Sequence, residues 1–152
     1  TGLVENYWGN VENDFVHSIG KAILEVEKSA NIDGILIITS GGYSARMISS
    51  RRLKCKIIAA TSSRKILRQL NILRGISPLL IKGKLEDISN QEKKEAIMNS
   101  LKKGLIKKSD NIAIVASVFH SRSKITNLLE MHNVGEFLDY LQNKDRLKTI
   151  EA

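Results

Sequence analysis

Two short stretches of the chain carry side chains suited to holding an anion. The first is Thr39-Ser40-Gly41-Gly42-Tyr43-Ser44, a hydroxyl-rich turn around paired glycines. It follows the apolar, β-branched run Ile35-Leu36-Ile37-Ile38, the pattern of a strand buried on both faces. Ala45-Arg46-Met47-Ile48-Ser49 comes next, with apolar residues that open a helical repeat. A strand, glycine turn and helix in succession aim backbone N–H groups and hydroxyls outward, where the helix dipole favours negative charge. The stretch lacks the lysine and spacing of a P-loop and is not the dinucleotide glycine fingerprint. An ordinary tight turn, in which the glycines only permit the bend, accounts for it equally well.

The second stretch is Phe119-His120-Ser121-Arg122-Ser123-Lys124, which joins hydroxyls to two permanent cations and one titratable ring. That set suits charge-assisted bonds to phosphate. By itself the stretch also reads as a solvated basic loop. The pairing of the two carries more weight. In open α/β sheets, ligands sit beyond the carboxyl ends of strands, where the strand order reverses. If the strands before these two stretches are neighbours at such a reversal, the loops face each other.

Other reactive side chains form no constellation. His17 and His132 have neither a nucleophile nor metal-ligand spacing around them, and three scattered histidines are not a zinc set. Glu12, Asp14, Glu25 and Glu27 read as helix surface, and no serine sits in a nucleophile elbow. Cys55, the single cysteine, cannot form an internal disulfide and reads as a half-buried thiol in a cytosolic protein. The chain as given therefore lacks an active site, a metal site and a cofactor of its own.

Composition narrows the partners. The net charge of +8 admits a polyanion, but the basic pairs Arg51-Arg52, Lys93-Lys94, Lys102-Lys103 and Lys107-Lys108 are scattered over predicted helix surfaces and connections. Aromatic residues make up 5% of the chain, too few for a base-stacking platform, so nucleic acid is not expected as a partner. No apolar run approaches a spanning helix and no signal peptide is visible, so no membrane is expected and the cytoplasm is the expected compartment. The first residue is threonine, which implies processing or a piece of something longer.

The elements that position the two stretches follow from hydrophobic spacing. Residues 1–10 read as polar and irregular, with Tyr7 and Trp8 as possible anchors. Val11, Phe15, Ile19, Ala22, Ile23, Val26 and Ala30 mark a long amphipathic helix, stopped by Asn31-Ile32-Asp33-Gly34. Strands are predicted at 34–39, 56–60, 76–81, 111–117 and 125–134. The third contains Pro78, the only proline, which places it at a sheet edge. A helix after Thr61-Ser62-Ser63 carries Ile66, Leu67 and Leu70 on one face and ends before Gly75. Ser89-Asn90-Gln91-Glu92 opens another, stopped by Gly104, and Asn133 with Glu136 caps a last helix through Phe137, Leu138 and Leu141. Alternating strands and helices predict a layered α/β domain with a mainly parallel sheet.

Taken together, these residues resemble a known family. Thr39-Ser40-Gly41-Gly42-Tyr43-Ser44-Ala45-Arg46 resembles the T-x-S-G-R-[ST]-A-R turn in the C-terminal domain of pyruvate kinase. The likeness continues through Ile57-Ile58-Ala59-Ala60-Thr61, Arg68-Gln69-Leu70-Asn71, Arg74-Gly75-Ile76-Ser77-Pro78, the strand at 110–115 and the pair Thr126-Asn127. Several motifs in the right order, over about residues 14–134, are more specific than any one of them. The resemblance implies one domain over residues 1–152, with a core at about 11–134 and an extra C-terminal helix at about 135–148. It also implies a three-layer open sheet of five strands in the order 3-2-1-4-5, mostly parallel with the last antiparallel, and helices on both faces.

The resemblance further implies a regulatory and assembly domain, part of a homo-oligomer, in which Thr39, Ser40, Gly41, Gly42, Tyr43 and Ser44 bind an effector phosphate with His120, Arg122, Ser123 and Lys124. The effector would be a phosphorylated metabolite or nucleotide. Phosphoryl transfer from phosphoenolpyruvate to ADP, with magnesium and potassium, belongs in that family to a preceding barrel domain, so this chain alone is expected to be inactive. Gly41 stands where the family usually has serine and Tyr43 where it has arginine, while Arg122 and Lys124 stand near the glycines of the family's usually glycine-rich final loop. A stand-alone relative with its own small-molecule binding or hydrolytic activity, and a purely oligomerising module, are the alternatives.

Overall fold

In the computed structural model, the most apolar runs of the sequence stand side by side as strands. Residues 2–83, 90–116 and 126–151 are described, with side chains from residue 15 onward. In chain order the elements are α1 (Gly2–Ser29), β1 (Gly34–Ile38), α2 (Tyr43–Ser49), β2 (Lys56–Thr61), α3 (Arg64–Leu70), β3 (Ile76–Leu80), α4 (Asn90–Lys102), β4 (Asn111–Ala116), β5 (Leu128–Asn133) and α5 (Val134–Glu151). The sheet runs β3-β2-β1-β4-β5, and β5 alone is antiparallel to its neighbour. The fold implied by the resemblance is the fold observed.

Alternation along the central strands divides the core into two layers. Leu36, Ile38, Ile58, Ala60, Ile112, Ile114 and Ala116 face Ala96 and Ile97 of α4 and Val134, Phe137, Leu138 and Leu141 of α5. Ile35, Ile37, Ile57, Ala59, Ala113 and Val115 face the other way, against Ile23 of α1, Ala45 and Ile48 of α2 and Leu70 of α3. Every residue of β1 is buried, as expected for a strand covered on both faces. Each such isoleucine contributes on the order of 2 kcal/mol by leaving water, so the register of these strands is firmly set.

Pro78 lies on the edge strand β3, where the absence of an N–H interrupts no central ladder. The helix ends also follow local chemistry. Ser63 caps α3 by accepting from the Ile66 N–H at 3.3 Å, and Asn133 caps α5 by accepting from the Glu136 N–H at 3.2 Å. Asn31 closes the first helix in the left-handed region at φ 52°.

β1, β2 and β3 end within one residue of the sequence reading, and three elements differ from it by more. Residues 2–10, read as irregular, belong to α1. They contain no proline, and a helix nucleated by the amphipathic stretch beyond them propagates at little cost. β5 is shorter than 125–134: Thr126 and Asn127 lie outside it, and Val134 already belongs to α5. α5 runs to Glu151, past the 148 expected. Ser89, read as the cap of α4, lies outside the described residues.

Candidate functional site

β1 lies between β2 and β4, and both of those pairings are parallel. The order reverses between β1 and β4, so the connections leaving their carboxyl ends start next to each other. Ile37 pairs with Val115, which leaves Ile38 beside Ala116 at the rim. The glycine turn leaves from the first strand and the basic stretch from the second. His120, Arg122, Ser123 and Lys124, with Phe119, lie outside the described residues, but both ends of their connection are placed. Ala116 accepts from the Asn127 N–H at 3.2 Å, which closes its mouth.

The turn is built by hydrogen bonds among its own residues. Thr39 continues the ladder through its N–H to Ala60 O at 2.9 Å. Its Oγ1 accepts from the Gly42 N–H at 2.9 Å in a buried bond that pulls the chain into the bend. Gly42 sits at φ 79°, ψ −1°, at the N-cap of α2. A Cβ there would lie 3.3 Å from Ile66 Cγ2 and 3.6 Å from Leu70 Cδ2, so this position combines a left-handed backbone with close approach of α3. Gly41 is different: it is exposed, and among the described residues nothing lies within 4 Å of a Cβ built on it.

Ser40 and Tyr43 are half-buried and Ser44 is buried. The exposed side chain of Arg46 curls back over the turn, with Nη2 3.5 Å from Gly41 O. Ser44 Oγ is hydrogen-bonded to Thr126 Oγ1, the hydroxyl at the far end of the basic connection. This bond joins the two candidate stretches across 82 residues of chain. Sequence reasoning quoted Thr126 only as part of the Thr-Asn pair and gave it no place in the site. The Thr-Asn motif itself was the available signal.

The remaining reactive groups are structural in their contacts. Arg51 donates through Nη2 to His17 O at 3.3 Å, its Nη2 lies 2.9 Å from His17 Nδ1, and its side chain covers Gly20. His132 stacks on Phe137 with ring centroids 3.8 Å apart and donates through Nε2 to Glu130 at 3.0 Å. Glu130 also receives the buried Lys93 ammonium at 2.9 Å. Burial pushes the Cys55 thiol up to about 12, and a hydrogen bond to Glu27 adds to the rise. Such a thiol is a poor nucleophile at neutral pH. Among the described residues, no group of three or more His, Cys, Asp or Glu side chains comes together to hold a metal.

Comparison with known proteins gives a consistent result. The family model described as "Pyruvate kinase, alpha/beta domain" matches residues 17–132, which contain the whole turn and both anchors of the second connection. A pyruvate kinase of Lactobacillus delbrueckii subsp. bulgaricus is 32% identical over 134 residues, covering 88% of this chain and 22% of that protein. One from Staphylococcus aureus is 30% identical over 126 residues, covering 83% and 21%. Among solved structures, a pyruvate kinase from Cryptosporidium parvum aligns with a TM-score of 0.66 at 25% identity, over 79% of this chain and 23% of that one. The chain thus spans about a fifth of the length of the curated relatives it matches.

Proposed function

We propose an effector-binding, regulatory role, from the premise that this chain belongs to the pyruvate kinase alpha/beta domain family. It acts as the C-terminal domain of a cytoplasmic pyruvate kinase and takes a phosphorylated metabolite or nucleotide at the rim of the sheet. Thr39, Ser40, Gly41, Gly42, Tyr43 and Ser44 form one wall of the site. His120, Arg122, Ser123 and Lys124 bring the cationic wall. Transfer of phosphate to ADP, with magnesium and potassium, falls to a barrel domain of the longer enzyme.

One observation supports the reading above others: the mouth of the basic connection is hydrogen-bonded to the glycine turn through Thr126 and Ser44. A ligand bridging the two walls would favour the state in which they are closed, and differential affinity of this kind is what an allosteric effector requires. Calorimetry of the chain against phosphorylated sugars and nucleotides tests the proposal. Saturable binding that disappears in Ser44→Ala/Arg122→Ala supports it, and unchanged binding in that variant removes the assigned site.

A second reading, an oligomerising module whose turn takes no ligand, is favoured by a different observation. The Thr39 and Ser44 side chains are both already hydrogen-bonded inside the protein. β5 also presents an open edge with Met131 52% exposed, a surface suited to another subunit. Absence of any ligand-dependent melting shift, together with self-association in sedimentation, would favour this reading.

A further inference from the structure

Helices α4 and α5 lie side by side and run in opposite directions. Lys94, early in α4, is ion-paired at 2.7 Å to Asp145, late in α5. Lys102 at the end of α4 meets Gly135 at the start of α5 around a cavity of about 460 Å³. That volume falls in the range of small-molecule sites, about 300–1,000 Å³. Met98 and Leu101 of α4 and the buried Leu138 of α5 give it an apolar floor, while Lys102, Lys108 and Asp139 are exposed at its mouth. The cavity adjoins the connection into β4, at the amino ends of the parallel strands and so at the rim opposite the glycine turn. One of its walls, α5, lies beyond residue 132, where the family match ends.

The lysines around these helices divide into two kinds. Lys93 and Lys94 are held in ion pairs with Glu130 and Asp145. Among the described residues, Lys102, Lys108 and Asp139 form no ion pair. Lys108 belongs to a turn that is pinned in place. Its carbonyl accepts from the Gly135 N–H at 2.9 Å, Asp110 O accepts from the Val134 N–H at 2.9 Å, and Asp110 Oδ2 accepts from the Lys107 N–H at 2.8 Å. Gly135 permits that close approach, since a Cβ there would lie 3.1 Å from Lys108 O. The backbone that carries Lys108 is therefore set at the end of the cavity beforehand, which lowers the ordering cost of binding. Two ammonium groups against one carboxylate leave a single net positive charge above an apolar floor. We propose that this cavity binds an aliphatic monocarboxylate, with its carboxylate between Lys102 and Lys108 and its hydrocarbon chain laid on Met98, Leu101 and Leu138. Its occupancy does not depend on the effector role proposed above.

The test is titration calorimetry of the 152-residue chain with sodium octanoate. Saturable binding is expected. Hexanoate, shorter by two methylenes, should bind about tenfold more weakly, and the uncharged octanamide should also bind more weakly than octanoate. Lys102→Gln/Lys108→Gln is expected to weaken octanoate about five- to tenfold, the scale of two exposed charge pairs. Lys103→Gln/Lys107→Gln removes the same charge from the same connection outside the cavity, and should change binding by less than about twofold. All four lysines are exposed, so both variants keep the fold, with thermal melts as the check. Equal weakening in the two variants overturns the proposal, because general attraction to a basic surface would then be responsible. Octanoate binding by Lys102→Gln/Lys108→Gln equal to wild type overturns it, as do octanamide binding equal to octanoate and the absence of saturable octanoate binding by the wild type.

Discussion

Glu130→Ala is expected to destabilise the domain through the charge it leaves behind. The Lys93 side chain is 7% exposed, and its ammonium meets Glu130 Oε1 at 2.9 Å; the other carboxylate oxygen takes the His132 Nε2–H at 3.0 Å. Burial pushes the Glu130 carboxyl up, but hydrogen bonds from Lys93 and His132 outweigh it and hold the group below the ordinary glutamate range. Removing one member of a fully buried pair costs about 3–5 kcal/mol, because the partner charge is stranded. Glu130 is 28% exposed, which lets water reach the vacated ammonium, so the expected cost is lower, about 2–3 kcal/mol. With a urea m value of about 2 kcal/mol/M, the unfolding midpoint should fall by about 1–1.5 M, measured by far-ultraviolet circular dichroism.

A second substitution separates the cause. Lys93→Met in the Glu130→Ala background removes the stranded charge and should recover at least about 1 kcal/mol. No recovery would refute the reasoning, because the loss would then come from packing and not from charge. The pH dependence has a definite sign. A carboxyl depressed in the folded state contributes stability above its unfolded value of about 4.3, and loses it as pH falls through the lower folded value. The stability gap between wild type and Glu130→Gln should therefore close in acid, as pH falls through the lowered folded value of Glu130.

Gly42→Ala places a side chain at φ 79° and 3.3 Å from Ile66 Cγ2, so thermal melts should register a loss of about 1–2 kcal/mol. Gly41→Ala, whose Cβ would have none of the described residues within 4 Å, should stay within about 0.5 kcal/mol of wild type; equal losses at both positions would contradict the assigned backbone. Cys55, with its thiol raised to about 12, should alkylate at about pH 8 on the order of a hundredfold more slowly in the folded chain than in urea. Glu27→Gln should speed that reaction, as followed by mass spectrometry.

The proposed regulatory role places Gly41 and Tyr43 in the turn that would hold the effector. The geometry bears directly on both residues. Among the described residues nothing lies within 4 Å of a Cβ built on Gly41, and Tyr43 starts α2 without disturbing the Thr39–Gly42 bond.

The amino-acid sequence determined the elements and the layered α/β class because its signals are local and repeated; the strand order followed from the family resemblance. Strand burial on two faces is written in runs such as Ile35-Leu36-Ile37-Ile38, helix starts in the capping residues Ser63 and Asn133, and the sheet edge in Pro78. The glycine turn was likewise legible, since its residues are consecutive. The tertiary structure alone decided which distant groups meet. Ser44 and Thr126 are joined across 82 residues, and Lys93 and Glu130 across 37. No periodicity connects such pairs. They come together because parallel strands return the chain to the same rim and helices lie across the same face. Whether a hydroxyl or an ammonium ends beside a partner or in water depends on that three-dimensional closure, and on nothing in its immediate neighbours along the chain.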